Sequence, residues 1–367
     1  MTQPQFLSLD GEQIVSELIQ IYEGITGRVL QPAQPERLLI NAFAYRELIL
    51  RQQIQNAALQ TLVSFASAPA LDYLGELVGV QRLSASAASC TLRFTLISGH
   101  GGVVIPAGTR VASQDGKVIF RTAENADVNA GVNTSDVLAF ADNIGAIGNG
   151  YAAAEIIEIL DPQPFIVSAS NLSVTSGGAD AETDDELRAR IKLAPEQFTT
   201  AGSVGAYQFH AKSASPAILD VAVTSPSPGL VNVYPLAEGG LPTSSAILNL
   251  VAAACNAERV RPLTDTVAVL TPTAVTYDVE VEIECYNTAN TTVIQEQIEA
   301  ALQAYCDGRT RQIGKDITRS QIIGLCMVDG VYDVTVVEPA ADVVISATQV
   351  PVLDNPISVT ITGLVNG

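Results

Sequence analysis

The sequence predicts a multidomain α+β protein with long N-terminal helices, a β-rich inserted domain and two small C-terminal α+β domains. Three observations carry this. Apolar residues recur at helical spacing up to about residue 79, the period changes to two from about residue 88, and beyond residue 180 the two patterns alternate. The boundaries this predicts are 1–87, 88–170, 171–271 and 272–367. A chain of 367 residues is too long for one small core and has ample surface to bury.

Along the N-terminal region, DGEQIVSELIQIYEGI (10–25) sets Ile14, Leu18, Ile21 and Ile25 on one stripe, joined by Val15 and Tyr22, and Asp10 with Gln13 resembles a capping box. The breaker GRVLQPAQP follows. Residues 36–66 then contain neither Gly nor Pro and are rich in good helix formers. Such a helix would be about 45 Å long. Its apolar residues fall on more than one side, Leu38, Ala42, Tyr45 and Ile49 on one and Leu39, Phe43 and Leu50 on another. A helix patterned this way needs more than one neighbour, so Leu38, Leu39, Phe43, Tyr45, Ile49 and Leu50 are the expected bundle interface with other chains. A short helix, LDYLGELVG, ends at Gly79.

In the β-rich domain, VVIPAGTRVASQDGKVIFRT (103–122) reads as three strands separated by a PAG turn and an Asp115-Gly116 hairpin turn. Helices are expected at about 184–194, 203–214, 243–258, 291–306 and 318–327, with strands near 218–225, 230–236, 265–270, 275–286 and 331–337. In AVTYDVEVEIECY, Val275, Tyr277, Val279, Val281, Ile283 and Cys285 share one face. Both C-terminal domains are therefore expected to be small antiparallel sheets with helices on one face.

Composition narrows the function classes. Thirty-nine acidic against 19 basic residues give a net charge of −20, without a basic run, which argues against a nucleic-acid phosphate partner. Hydrophobic residues make up 47% and charged ones 16%, which fits a subunit that hides surface against neighbours. No stretch approaches the roughly 18 apolar residues of a membrane span, and MTQPQFLSLDGE has neither the basic nor the apolar part of a signal peptide. Five scattered cysteines (Cys90, Cys255, Cys285, Cys306, Cys326), odd in number, read as reduced buried thiols. The expectation is a soluble chain made in the cytoplasm. A secreted or surface β-rich binding protein is the alternative, and the unpaired cysteines argue against it.

The segment GGADAETDDELRARI (177–191) places five carboxylates within seven residues. Thr183-Asp184-Asp185-Glu186 fits a capping box, and the acids face the positive end of the helix dipole. Asp184 with Arg188 and Glu186 with Arg190 are i,i+4 pairs in the favourable order, and Pro195 stops the helix. A calcium loop would need a glycine bend inside the cluster, which has none. His100 and His210 stand 110 residues apart without carboxylate or cysteine at ligand spacing, and read as a turn residue and a helix residue. GxSxG, Walker, HExxH and GxGxxG patterns are all missing. The sequence thus predicts no catalytic, cofactor or metal residues and no enzyme.

Three segments taken in order resemble the baseplate J-like family, the wedge subunits of contractile phage tails and related injection machines. They are FAYRELILRQQIQNAA (43–58), GGADAETDDELRARI, and AGSVGAYQFHAKSASPAILDVAVTSPSPGLVNVYPL (201–236). The family pattern falls on Gly177, Gly178, Asp180, Glu182, Asp184, Arg188, Arg190, Gly202, Ser203, Tyr207, Pro228 and Gly229. These read as fold determinants: Gly202-Ser203 starts a helix, Tyr207 fills its face, and Pro226-x-Pro228-Gly229 reverses the chain. The resemblance implies a non-enzymatic part without a cofactor. Two copies would join a partner tail protein and a sheath-linked wedge protein, and six wedges would close round the central spike. The location implied is the virion tail baseplate, assembled in the bacterial host cytoplasm, with no nucleic acid or membrane partner. The β-rich segment reads as an insertion of unassigned role.

Overall fold

The computed structural model describes residues 2–199, 202–238 and 240–366. Ala201 of the third motif and Gly239 of the 239–240 glycine pair, read as a turn, lie outside them. The chain divides into two units, residues 1–82 with 183–195, and residues 83–182 with 196–367.

In the first unit, α1 (Gly11–Thr26) is capped by Asp10, whose Oδ1 accepts from Glu12 N at 2.9 Å and Gln13 N at 3.2 Å. The reciprocal half of the expected box is missing. The Gln13 side chain instead bonds Ser8 and Glu17. Helix α2 (Pro35–Leu59) begins with proline, whose missing N–H costs nothing at a first turn. Its 25 residues span about 38 Å, shorter than the sequence predicts. Past Leu59 the run Thr61-Leu62-Val63-Ser64 is poor in helix formers, Thr61 Oγ1 donates back to Ala58 O, and Gln60 Oε1 accepts from Ser67 N at 2.9 Å, turning the chain. Ile40, Ala44, Gln55 and Leu59 form the buried stripe of α2, and Ile14 is the buried residue of α1. Two shorter helices complete the unit, α3 (Ala70–Glu76) and α4 (Asp184–Leu193).

The second unit starts with the β-rich domain: β1 (Ala87–Leu96), β2 (Val103–Ile105), β3 (Arg110–Ser113), β4 (Ile119–Thr122), β5 (Ala126–Val128), β6 (Thr134–Ile144), β7 (Ile156–Ile159) and β8 (Ile166–Asn171). Strands β2, β3 and β4 fall where the sequence places them. Six strands form an antiparallel sheet in the order β7-β3-β4-β6-β1-β8, and β2 pairs with β5 apart from it. Alternate residues turn inward, so Leu92, Phe94, Val111, Phe120, Val137 and Ile156 make the core. The two end strands are joined through buried Asn171. Its Oδ1 accepts from Glu155 N and Ile156 N, both at 3.0 Å, its Nδ2 donates to Ala152 O and Ser173 O, both at 2.8 Å, and its backbone carbonyl accepts from Ala154 N. The sheet edge that would otherwise stay open is thereby nearly closed into a barrel.

Next come α5 (Val204–Lys212), β9 (Ile218–Ser227), β10 (Leu230–Ala237), α6 (Ser245–Cys255) and β11 (Thr266–Val269). Their sheet runs β11-β10-β9 over a core of Tyr207, Val221, Val233, Ile247 and Val251. The last part contains β12 (Thr273–Tyr277), β13 (Glu280–Tyr286), α7 (Thr291–Thr310), α8 (Arg319–Cys326), β14 (Val331–Glu338), β15 (Gln349–Leu353) and β16 (Ser358–Val365). Helices α7 and α8 pack Ile298, Leu302 and Ile322 against Val281, Ile283 and Val334 of the sheet β14-β13-β16.

Two expectations need correction here. The sheets are mixed: β10 with β11, β12 with β15 and β13 with β16 are parallel pairs. An intervening helix returns the chain to the same end of the sheet, which is how β11 comes to lie parallel to β10. The run 275–286 is two strands, since the chain breaks at Asp278-Val279 and β12 joins β15 in a separate sheet. Asp278 Oδ1 accepts from both the backbone and side-chain nitrogens of Asn355 at that break. Inward pointing of Tyr277, Val279, Val281, Ile283 and Cys285 survives it, with Val275 only half-buried.

Candidate functional site: the signature segment and the α2 surface

The acidic segment is built into backbone at every step. Gly178 N donates to Asn149 Oδ1 at 2.9 Å, and Asn149 Nδ2 donates to Gly178 O at 2.7 Å. A side chain at Gly178 would strike Gly145 O and come within 3.0 Å of Ala88 N, so the close approach requires glycine. Gly177 adopts φ 86°. Asp180 Oδ1 accepts from Ala146 N at 3.2 Å. Glu182, 6% exposed, exchanges bonds with Leu83: Leu83 N donates to Oε2 at 2.9 Å and Glu182 N donates to Leu83 O at 3.1 Å. Asp180 and Glu182, which precede the capping box, therefore each hold a neighbouring loop.

The capping box forms as expected. Glu186 N donates to Thr183 Oγ1 at 3.4 Å, and Thr183 N donates to Glu186 Oε2 at 2.9 Å. The expected i,i+4 partners are different. Asp184 accepts from Arg82 Nη2 at 2.7 Å and from Ala68 N at 3.2 Å, while Arg82 Nε reaches Asp72 at 2.7 Å. The Arg82 bond, then that of Ala68, holds the Asp184 carboxyl below the ordinary carboxylate range. Arg188 pairs with Asp185 and donates to Val63 O at 2.9 Å and Ala66 O at 2.7 Å. Arg190, 6% exposed, donates to Gln81 O at 2.6 Å. The physical reason is supply and demand: the turn after α2 leaves carbonyls without helical partners, and a guanidinium fork satisfies two at once.

The third motif behaves likewise. Ser203 Oγ accepts from Ala206 N at 3.1 Å and caps α5. Gly202 has φ 70°, and a Cβ there would lie 2.6 Å from Asp265 Oδ2. Buried Tyr207 donates from its hydroxyl to the same oxygen at 3.0 Å, and burial, then this bond, pushes its pKa up. Asp265 is a tie between helix and loop that no sequence signal reveals. Pro228 and Gly229 (φ 79°) make the reversal between β9 and β10, and Gly229 O accepts from Thr266 N at 2.6 Å.

Among the described residues no three His, Cys, Asp or Glu side chains gather to hold a metal ion, and no helix is long and apolar enough to cross a membrane. His100 is a buried turn residue, its Nε2 2.9 Å from Val132 O and its Nδ1 accepting from Gly102 N at 3.3 Å. His210 lies on α5, where burial lowers its pKa. The five thiols are free and buried, and burial raises each of them, Cys90 and Cys255 to about 12 and Cys326 to about 11.

The feature that asks for an explanation is the surface of α2. Leu38, Leu39, Phe43, Tyr45 and Leu50 are 53–72% exposed, and Ile49 is half-buried. At 100° per residue, Ile40, Ala44, Gln55 and Leu59 form one stripe, which is buried within the unit. Leu39, Phe43, Leu50 and Ile54 form a second and Leu38, Tyr45 and Ile49 a third, each about 110–120° from the buried one. Ile21 and Ile25 at the end of α1 are exposed as well.

Comparison with known proteins gives a consistent set of likenesses. Four family models match in order: the baseplate J-like N-terminal domain at 34–89, the baseplate J-like protein barrel domain at 91–178, the central domain at 199–271 and the C-terminal domain at 277–362. The barrel match makes the strand-rich segment one of the family's own domains. Baseplate protein J of Escherichia phage P2 is 36% identical over 185 residues, 50% of this chain. This chain thus spans 61% of that protein's length. A cryo-EM structure of the anti-feeding prophage baseplate contains a chain that aligns over 94% of this one and 90% of its own length, with TM-score 0.41 and 13% identity.

Proposed function

The chain belongs to the baseplate J-like family, and we propose from this that it is a non-enzymatic structural subunit of the baseplate of a contractile tail or related injection machine. The observation that carries the reading is the pair of apolar stripes on α2 that the first unit leaves exposed. Burying a Leu or Phe side chain contributes roughly 1.5–3 kcal/mol, so a few such residues offset much of the entropy lost when subunits join. Two copies pair through these stripes with a partner tail protein, a sheath-linked wedge protein connects the pair to the sheath, and six wedges surround the central spike. The subunit works in the tail baseplate and is assembled in the bacterial host cytoplasm. A scaffolding task is further supported by the carboxylates and arginines of the signature segment, each bonded to backbone or to another side chain of the chain.

The test is to replace Leu39, Phe43 and Leu50 together by Glu in an otherwise complete tail gene cluster. The variant should keep its circular dichroism spectrum, yet fail to co-sediment with sheath and tube, and particles should lack baseplates by negative-stain microscopy. Normal particles carrying the variant would refute the assignment of α2.

A further inference from the structure

Two surfaces of the second unit carry opposite charge. The first is the loop between α6 and β11, where Arg259, Arg261 and Leu263 are all exposed and Leu263 is fully so; of its two acids Asp265 is half-buried and bonded by Tyr207, which leaves the arginines in excess over exposed Glu258 at the surface. Among the described residues neither arginine forms an ion pair. The chain's charge is −20, so basic groups left free beside an exposed leucine need an explanation. The second is the face of the sheet β14-β13-β16 turned away from α7 and α8. Glu280, Glu282 and Glu284 project from the central strand, with Glu284 opposite Asp333 and Glu280 opposite Glu338. Like charges directly opposite each other destabilise a sheet, and among the described residues no lysine or arginine is paired with any of the five. Thr335 and Thr360 flank Glu282 and leave the face flat and short-chained beside the carboxylates.

We infer that the Arg259–Leu263 loop of one copy docks on the carboxylate face of β13 in a second copy. The occupant is another copy of this chain because the complementary charges are both present on it, and among the described residues neither is ion-paired within the chain. The arginines neutralise Glu282 and Glu284 and relieve the repulsion with Asp333, while Leu263 supplies the apolar anchor. Different patches meet in such a contact, so it is head-to-tail, and a succession of copies closes into a ring or extends. The inference deepens the baseplate reading and rests on it for the ring. The contact itself is a property of the purified chain.

Sedimentation velocity of the full chain at low and high salt tests it, using two variants: Arg259→Glu with Arg261→Glu, and Glu282→Lys with Glu284→Lys. Each variant alone should associate about tenfold more weakly or worse, because like charges now face each other. An equimolar mixture of the two should recover association, since reversed loops meet reversed faces. The wild-type contact should weaken as salt rises. It should persist in the α2 triple-Glu variant, which separates this contact from the bundle. A wild-type chain that stays monomeric at low salt, single variants that associate like wild type, a mixture that does not recover, or loss of all association in the α2 variant would each overturn the inference.

Discussion

Arg188 offers the sharpest test of how the signature helix is held. The sequence pattern pairs it with Asp184 one turn earlier, whereas in the structure it serves Val63 O and Ala66 O, and Asp184 belongs to Arg82. Ala66 is buried and Val63 half-buried, so removing the guanidinium strands one carbonyl fully and the other in part. Charge-assisted hydrogen bonds contribute roughly 1.5–3 kcal/mol each. With partial rehydration at Val63, Arg188→Ala should therefore destabilise α4 by about 2–4 kcal/mol. Asp185, with 92% of its side chain exposed, adds nothing measurable. Double-mutant cycles then distinguish the two pairings. Arg82 with Asp184 should couple by about 0.5–1 kcal/mol, and Asp184 with Arg188 by less than about 0.3 kcal/mol. Native-state hydrogen exchange read on α4 peptides is the appropriate assay, because it reports one segment of a multidomain chain. A coupling between Asp184 and Arg188 equal to that between Asp184 and Arg82 would refute the reasoning.

Other outcomes follow from the same structure. Asn171→Ala should destabilise the barrel by about 2–3 kcal/mol, since the buried Ile156 N–H loses its acceptor, with exchange protection lost first at the start of β7. The Arg110 side chain holds Asp161 down to about 2, and the Ser113 hydroxyl with Lys117 N does the same for Asp115. Lowered carboxylates stabilise fully above the unfolded value of about 3.9 and lose that contribution as pH falls through their folded values. Asp161→Asn should accordingly flatten the fall of barrel stability between about pH 4 and pH 2, measured by acid titration of unfolding midpoints. The five buried thiols should resist iodoacetamide in the native chain at neutral pH, and mass spectrometry should find five adducts after denaturation.

What the sequence made legible is what local rules govern. The capping box at Thr183, the Asp10 cap, the serine start of α5 and the Pro228-Gly229 reversal depend on residues within four positions of each other, and all are present. Inward-pointing strand residues followed from alternation alone. Partners distant in sequence were not legible. Nothing local says that Arg188 will find carbonyls 122 and 125 residues away, or that Tyr207 and Gly202 will converge on Asp265. The parallel pairing of β16 with β13 joins Glu280 to Ser358, also far apart in the chain, and β15 carries Pro351, which sequence rules move out of a ladder interior. The stripes of α2 show the limit from the other side. Their excess was visible in sequence, while the identity of the stripe kept within the chain depended on Gln55 turning inward to bind Pro4 O and Phe6 N.

The first unit is assembled from two pieces of chain, 1–82 and 183–195, with one hundred residues synthesised between them. During translation α1, α2 and α3 therefore emerge long before α4, and the turn carbonyls of Val63 and Ala66 wait for Arg188 while the whole barrel is being made. The nascent N-terminal helices carry their widest apolar exposure through that interval. A truncation after residue 82 leaves them in that condition permanently, and a truncation before it strands α4 on what remains. An excised helical unit should therefore be made by deleting residues 83–182 and joining residue 82 by a short linker directly to residue 183.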